Sequence, residues 1–169
     1  PASLIPYSMH SVGRAGHDLM VSAIAIGFKK IFILVDPKNI EEFDFLPKQI
    51  ELANALLSGV AKNGNNSIIM IEENDPEKIE EIIYEKNGYT KIKSSSFIAV
   101  GAPRGILRTA IQGLSKSNKN KQGIIPLPEN SPYGIVNVNT ESCTICLSCV
   151  SACPAGALQD NPEAPQLLF

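Results

Sequence analysis

Hydrophobic positions in the first 120 residues alternate between strand-like and helical patterns. Short continuous apolar runs rich in β-branched and aromatic residues are typical of buried parallel strands. Three such runs occur, at residues 30–36 (KIFILVD), 67–71 (SIIMI) and 96–100 (SFIAV). Apolar residues at helical spacing predict four helices. The segments are residues 16–28, 47–62, 75–86 and 104–115.

This alternation predicts an α/β fold. Strands that are separated by helices form βαβ units, and the helices then cover both faces of a mostly parallel sheet, which gives three layers. The three apolar runs are expected to be neighbouring buried strands. Leu34 lies in the middle of the first run. We therefore expect it to be buried, and the change Leu34→Asp to unfold this domain.

A polar segment separates this part from the end of the chain. Residues 115–123 (SKSNKNKQG) contain three lysines and no apolar side chain, as is typical of a helix end followed by a linker. An extended, proline-punctuated stretch follows. We place the domain boundary near residue 122, with an α/β domain at 1–122 and a second domain at 123–169.

Composition narrows the functional classes. The chain has 169 residues, a net charge of −2 and 44% hydrophobic residues. Nucleic-acid binders need a basic face, so no nucleic acid partner is expected. The longest apolar run, residues 19–28, is about half of the roughly 18 residues that a membrane span needs, and no secretory signal pattern opens the chain. We expect a cytoplasmic protein without a membrane span.

A nucleotide site has weak support. Ligands of parallel sheets bind beyond the carboxyl ends of the strands, but neither GxGxxG after a strand nor GxxxxGK[ST] is present. GAPRG at 101–105 would place Arg104 near an anion, and GRAGHD at 13–18 resembles a phosphate loop. Glycine-rich turns of this kind more often only shape the chain.

Three further polar residues are weak candidates for function. His10 and His17 are the two histidines of the chain, and no acid pairs with either at a motif spacing. Asp36 ends the first predicted strand and could bind a ribose hydroxyl or a partner. A cap or turn role is more common for such a residue. No catalytic residue is therefore predicted.

All four cysteines fall in one run, C-x2-C-x2-C-x3-C-P, at Cys143, Cys146, Cys149 and Cys153. This spacing is a known signature of bacterial iron–sulfur ligation. Two-residue gaps wrap the chain tightly, so that neighbouring sulfurs can face one inorganic cluster, and Pro154 turns the chain away. Nearby residues are either small, which permits close backbone approach, or apolar, which excludes water: Ser148, Ser151 and Ala152, and Ile145, Leu147 and Val150.

Other uses of four cysteines fit this spacing less well. Structural zinc sites prefer two ligand pairs that are separated by a longer loop. Disulfides are improbable without a secretory signal, and a thioredoxin-like CxxC does not come as overlapping repeats. The run therefore predicts an iron–sulfur site whose ligands are Cys143, Cys146, Cys149 and Cys153.

Residues 133–158 (YGIVNVNTESCTICLSCVSACPAGAL) resemble the first half of a bacterial-type ferredoxin with two [4Fe–4S] clusters. The resemblance implies a truncated ferredoxin-like α+β domain, with a strand at 133–138 before the cysteine loop and a helix at 154–158. It also implies that Cys143, Cys146 and Cys149 serve one cluster and Cys153 the other. APQLLF at 164–169 is similar to the strand before the second motif, so the full-length protein is expected to continue into a second C-x2-C-x2-C-x3-C and to bind two clusters.

A second resemblance concerns residues 16–36, which are similar to the α/β domain of the hydrogenase delta-subunit family. The whole chain looks like larger ferredoxin-type proteins of formate dehydrogenase or heterodisulfide-reductase-like systems. This implies redox partner proteins, such as a formate dehydrogenase complex.

The predicted function is electron transfer by a carrier or accessory subunit rather than catalysis by this chain alone. One alternative is a subunit of a flavin- or nicotinamide-dependent oxidoreductase whose α/β domain binds the nucleotide. Another is a scaffold with a structural cluster.

Overall fold

The computed structural model describes residues 4–38, 44–61, 64, 66–85, 92–119, 124–129, 131–134 and 136–168. The chain divides into two compact units, Pro1–Asn130 and Ser131–Phe169. The boundary expected near residue 122 lies within residues 120–123, outside the described part, and stays a prediction. None of the described helices combines the length and the apolar character needed to span a bilayer.

The first unit contains the four helices that the sequence predicts. They are α1 (His17–Ile26), α2 (Leu46–Val60), α3 (Pro76–Tyr84) and α4 (Pro103–Asn118), and a 3₁₀ turn precedes α1 at Val12–Arg14. Local signals set their ends. The Asp75 carboxylate accepts a hydrogen bond from the Glu77 N–H at 3.0 Å and caps α3. Gly27 ends α1 with a φ of 136°, which favours glycine.

Two of the three predicted strands are confirmed. β1 (Ile31–Val35) and β2 (Ile68–Glu72) pair in parallel, with Ile31 opposite Ile68 and Val35 opposite Glu72. Asn54 of α2 holds the start of β2, because its side-chain amide donates to the Ile68 carbonyl at 3.1 Å and its oxygen accepts from the Ile68 N–H at 3.3 Å. This side chain therefore pairs with both backbone groups of one strand residue and fixes α2 against the sheet.

The third predicted strand is wrong. Residues 96–100 form no ladder, and Ile98 and Val100 are 81% and 78% exposed. Hydrogen bonds attach the preceding residues to helices instead of to the sheet: the Ser95 N–H donates to the Ala25 carbonyl at the end of α1. A strand needs a neighbouring edge as well as apolar composition. The described residues thus give a two-stranded parallel sheet, and the three-layer sheet domain is not confirmed.

The core of this unit lies where α1, α2 and α4 pack together and α2 packs on β2. Its largest fully buried side chains are Met20, Val21, Ile24, Val35, Leu46, Leu57, Leu114 and Ser67. The expectation that Leu34 is buried is wrong, because Leu34 is 49% exposed while Val35 is 2% exposed. Alternation of this kind marks a strand with one well-covered face, whereas the continuous apolar run had suggested two.

The second unit differs from the expected order of elements. It contains α5 (Ser148–Ala152), β3 (Gln159–Asp160) and β4 (Leu167–Leu168), and β3 and β4 pair antiparallel. The strand expected at 133–138 is wrong for its described residues, since 133, 134 and 136–138 form no ladder; residue 135 lies outside the described part.

The helix expected at 154–158 is also wrong, because this segment is a turn. The Gly156 N–H donates to the Cys153 carbonyl at 3.1 Å, and the φ of Gly156 is 59°. A left-handed residue at this point prevents the chain from continuing as a helix. The short helix of this region, α5, instead precedes Cys153.

Candidate metal centre

The four cysteines lie on one short stretch around α5. Cys143 and Cys146 belong to the loop before the helix, Cys149 lies in α5, and Cys153 follows its last residue. All four are free thiols; Cys153 is half-buried and the others are exposed. Asn139 shapes the entry to the loop, because its carbonyl accepts from the Cys143 N–H at 2.9 Å. The four thiols therefore form no disulfide with one another and are carried by one continuous segment.

Two residues between the cysteines have a left-handed backbone. Ile145 has a φ of 56° and Leu147 a φ of 57°. Such conformations cost on the order of 1–3 kcal/mol for a residue other than glycine, and they are especially unusual for a β-branched side chain. They immediately precede and follow Cys146. This local strain is typical of a segment whose shape serves a ligand.

Polar groups on both sides surround the sulfur of Cys146. Its Sγ lies 3.4 Å from the hydroxyl oxygen of Ser148, the first residue of α5. Hydrogen bonds from that hydroxyl, then from the Ser148 backbone N–H and the Thr144 side chain, lower the pKa of the Cys146 thiol below its ordinary value. Donors of this kind favour the thiolate, which is the form that binds metal.

A different set of donors surrounds the sulfur of Cys153. The Ala157 N–H lies 3.3 Å from its Sγ. Backbone N–H groups of Leu158 and Ala157, with smaller effects from Ala155 and Gly156, lower the pKa of the Cys153 thiol. The turn after α5 thus presents successive N–H groups to one sulfur, an arrangement that suits a negative charge.

The donor set suits an iron–sulfur cluster. In the part of the chain that the structure describes, no three His, Cys, Asp or Glu side chains lie close enough together to hold one ion. An iron–sulfur cluster is larger and takes thiolates as its ligands, often from one cysteine run. Four free thiols on a curled loop, two of them with N–H or O–H donors at the sulfur, match that chemistry.

The other candidate residues have local partners or exposed positions. His17 is engaged by Gln49, whose Oε1 lies 2.6 Å from the His17 Nδ1, and His10 is exposed. Asp36 accepts from the Lys38 N–H at 3.0 Å, which is the turn role that the sequence favoured. Arg104 is exposed in the first turn of α4, and the segment before it is no strand. These positions form no shared site in the described residues.

The sulfur-facing hydroxyls are the part of the site that sequence reasoning missed. Ser148 was expected to matter only for its small size, and Thr144 was not singled out. The sequence does contain a hydroxyl residue two positions before and two positions after Cys146, namely Thr144 and Ser148, which could have suggested hydrogen bonds to its sulfur. Spacing alone does not tell which way a side chain turns, so the hydrogen bonds emerge only from the loop conformation.

The comparison with known families agrees with the cysteine geometry. Residues 136–159 match the family described as 4Fe-4S binding domain, and that range includes all four cysteines. No curated protein and no solved structure matches the chain. The single family match supports a ferredoxin-like iron–sulfur part of this chain, with a [4Fe–4S] cluster that serves electron transfer.

Proposed function

We propose that the protein transfers electrons through [4Fe–4S] clusters that its four cysteines bind, as a ferredoxin-type carrier or as a subunit of a larger redox complex. The observation that carries this is the set of four free thiols within the matched range. When bound, such a cluster accepts and releases single electrons over a range of potentials that the protein tunes. No acid, base or nucleophile of the chain is needed.

The ligands divide between two clusters. Cys143, Cys146 and Cys149 serve one, and Cys153 serves the other, as in the ferredoxins that residues 133–158 resemble. The separate surroundings of two of the sulfurs support this division. Hydroxyl groups flank Cys146, whereas backbone N–H groups of the following turn flank Cys153.

Apolar side chains flank the exposed cysteines of the loop. Leu147 and Val150 are half-buried and Ile145 is exposed beside Cys146. Water and local polarity set the potential of an iron–sulfur site. The exposed cysteines let a partner protein approach closely. The proposed partners are other redox proteins, specifically a formate dehydrogenase or a similar cytoplasmic complex. The first unit would dock on that complex.

Anaerobic reconstitution of this chain tests the proposal. The protein is incubated with iron, sulfide and an excess of a small thiol, which can occupy an iron that has no cysteine. We expect iron and acid-labile sulfide in equal amounts, a broad absorption band in the visible region that dithionite bleaches, and an EPR signal after reduction. A protein that takes up no iron and sulfide would contradict the proposal, as would one that binds zinc alone.

Two cysteine variants test how the ligands divide. Cys146→Ala removes one of three thiolates from the first cluster, so it should lose most of the iron bound by this chain. Cys153→Ala is the matched control, because its sulfur is assigned to the other cluster; it should keep that iron. Equal losses in both variants would mean that one cluster uses all four cysteines, and the two-cluster assignment would be wrong.

A further inference from the structure

The hydroxyl at position 148 lies beside a sulfur that is a predicted cluster ligand. The Ser148 Oγ is 3.4 Å from the Cys146 Sγ, and Ser148 opens α5, whose backbone holds it next to the loop. When Cys146 is a thiol, its S–H can donate to the hydroxyl. When Cys146 is a thiolate bound to iron, the sulfur has no proton, and the same contact requires the hydroxyl to donate.

The direction of this hydrogen bond affects two redox states unequally. Reduction adds one electron, and so one negative charge, to the cluster and its thiolates. A donor directed at a ligating sulfur stabilises the more negative, reduced state more than the oxidised state. The hydroxyl therefore favours reduction, and its removal makes reduction harder.

We infer that Ser148 is a positioning residue that raises the reduction potential of the cluster bound at Cys146. This rests on the proposed function, because it requires a cluster at that cysteine. Residues of this kind need not touch the iron. They act through a ligating sulfur, as other hydrogen bonds to cluster sulfurs do.

The test is a redox titration of the reconstituted protein and three variants, with iron content measured for each. Ser148→Ala removes the hydroxyl, Ser148→Thr keeps a hydroxyl, and Ser151→Ala is the matched control in the same helix. We expect Ser148→Ala to lower the ratio of reduced to oxidised cluster at a fixed potential by about three- to tenfold, the size of one modest hydrogen bond. A tenfold change corresponds to about 59 mV for a one-electron couple. Ser148→Thr should stay near the parent and Ser151→Ala should match it.

A second readout separates this effect from a general disturbance of the helix. Loss of the hydrogen bond should raise the Fe–S(Cys) stretching frequency in resonance Raman spectra of Ser148→Ala and leave Ser151→Ala unchanged. The inference is overturned if Ser148→Ala carries full iron but titrates like the parent, or if Ser151→Ala shifts as far. It is also overturned if Ser148→Ala takes up less iron, because the hydroxyl would then act in assembly. A parent protein that binds no cluster would instead refute the proposed function.

Discussion

Two neighbouring residues of β1 should respond very differently to the same substitution. Val35 is 2% exposed and Leu34 is 49% exposed, although both lie in one continuous apolar run. The structure therefore predicts that Val35→Asp destabilises the first unit much more than Leu34→Asp does. Each variant adds the same single charge to the same strand, so the two are closely matched apart from the face that they occupy.

The expected magnitudes follow from burial. Full burial of a valine or leucine side chain contributes about 1.5–3 kcal/mol, so half-exposed Leu34 contributes about 1 kcal/mol. Aspartate is also disfavoured in strands, by up to about 1 kcal/mol. Val35→Asp loses the whole side-chain contribution and places a carboxylate in the core, which costs several kcal/mol more. The difference of at least about 3 kcal/mol is more than about 100-fold in the unfolding equilibrium.

Urea denaturation followed by circular dichroism measures the two free energies of unfolding. Val35→Asp is expected to remove most of the free energy of unfolding, which is roughly 5–15 kcal/mol for a natural domain. If that protein does not fold, the pair Val35→Ala and Leu34→Ala provides the comparison, with Val35→Ala the more destabilising. Equal free energies in the alanine pair, or a larger loss at Leu34 in either pair, would refute the assignment of the two faces.

Three further predictions concern contacts elsewhere in the first unit. Asn54→Ala leaves both backbone groups at the start of β2 without their side-chain partner, and should lower the free energy of unfolding by about 1–3 kcal/mol in urea; a change below about 0.5 kcal/mol would contradict this. Gly59→Ala should destabilise the protein, because a Cβ there would lie 2.5 Å from the Cγ2 of Ile125. In an Ile125→Ala background the same change should stabilise α2 by about 0.5–1 kcal/mol, and identical effects in both backgrounds would exclude the clash. Backbone N–H groups of the two following residues hold the pKa of the Glu73 carboxyl below its ordinary value of 4.5. The ionised carboxylate therefore contributes fully to the free energy of unfolding above pH 4.5, and this contribution is lost as the pH falls through the lowered pKa. The free energy of unfolding should therefore fall less steeply with decreasing pH for Glu73→Gln than for the control Glu80→Gln. Identical pH dependence in the two variants would show that the Glu73 carboxylate does not contribute to acid sensitivity.

The spacing of the cysteines predicts the type of site but not its detailed geometry. The run from Cys143 to Cys153 identifies an iron–sulfur segment, because ligand type and spacing are properties of the sequence itself. The matched family range confirms this much. The sulfur-facing hydroxyl of Ser148 and the N–H groups of the turn after Cys153 depend on the loop backbone. That backbone includes left-handed residues at 145 and 147, which no preference of isoleucine or leucine would suggest.

In the first unit, the sequence by itself determined the four helices and two of the strands. Helical periodicity, an aspartate cap and prolines at helix starts act within about four residues, so they can be recognised without the fold. The segment 96–100 was apolar enough for a strand, yet the backbone N–H groups of Lys93 and Ser95, just before it, donate to Asn118 of α4 and to Ala25 of α1. Exposure of Leu34 likewise depended on which face of β1 the helices cover. Tertiary structure decided both, because strand pairing and burial require a partner surface that is distant in sequence.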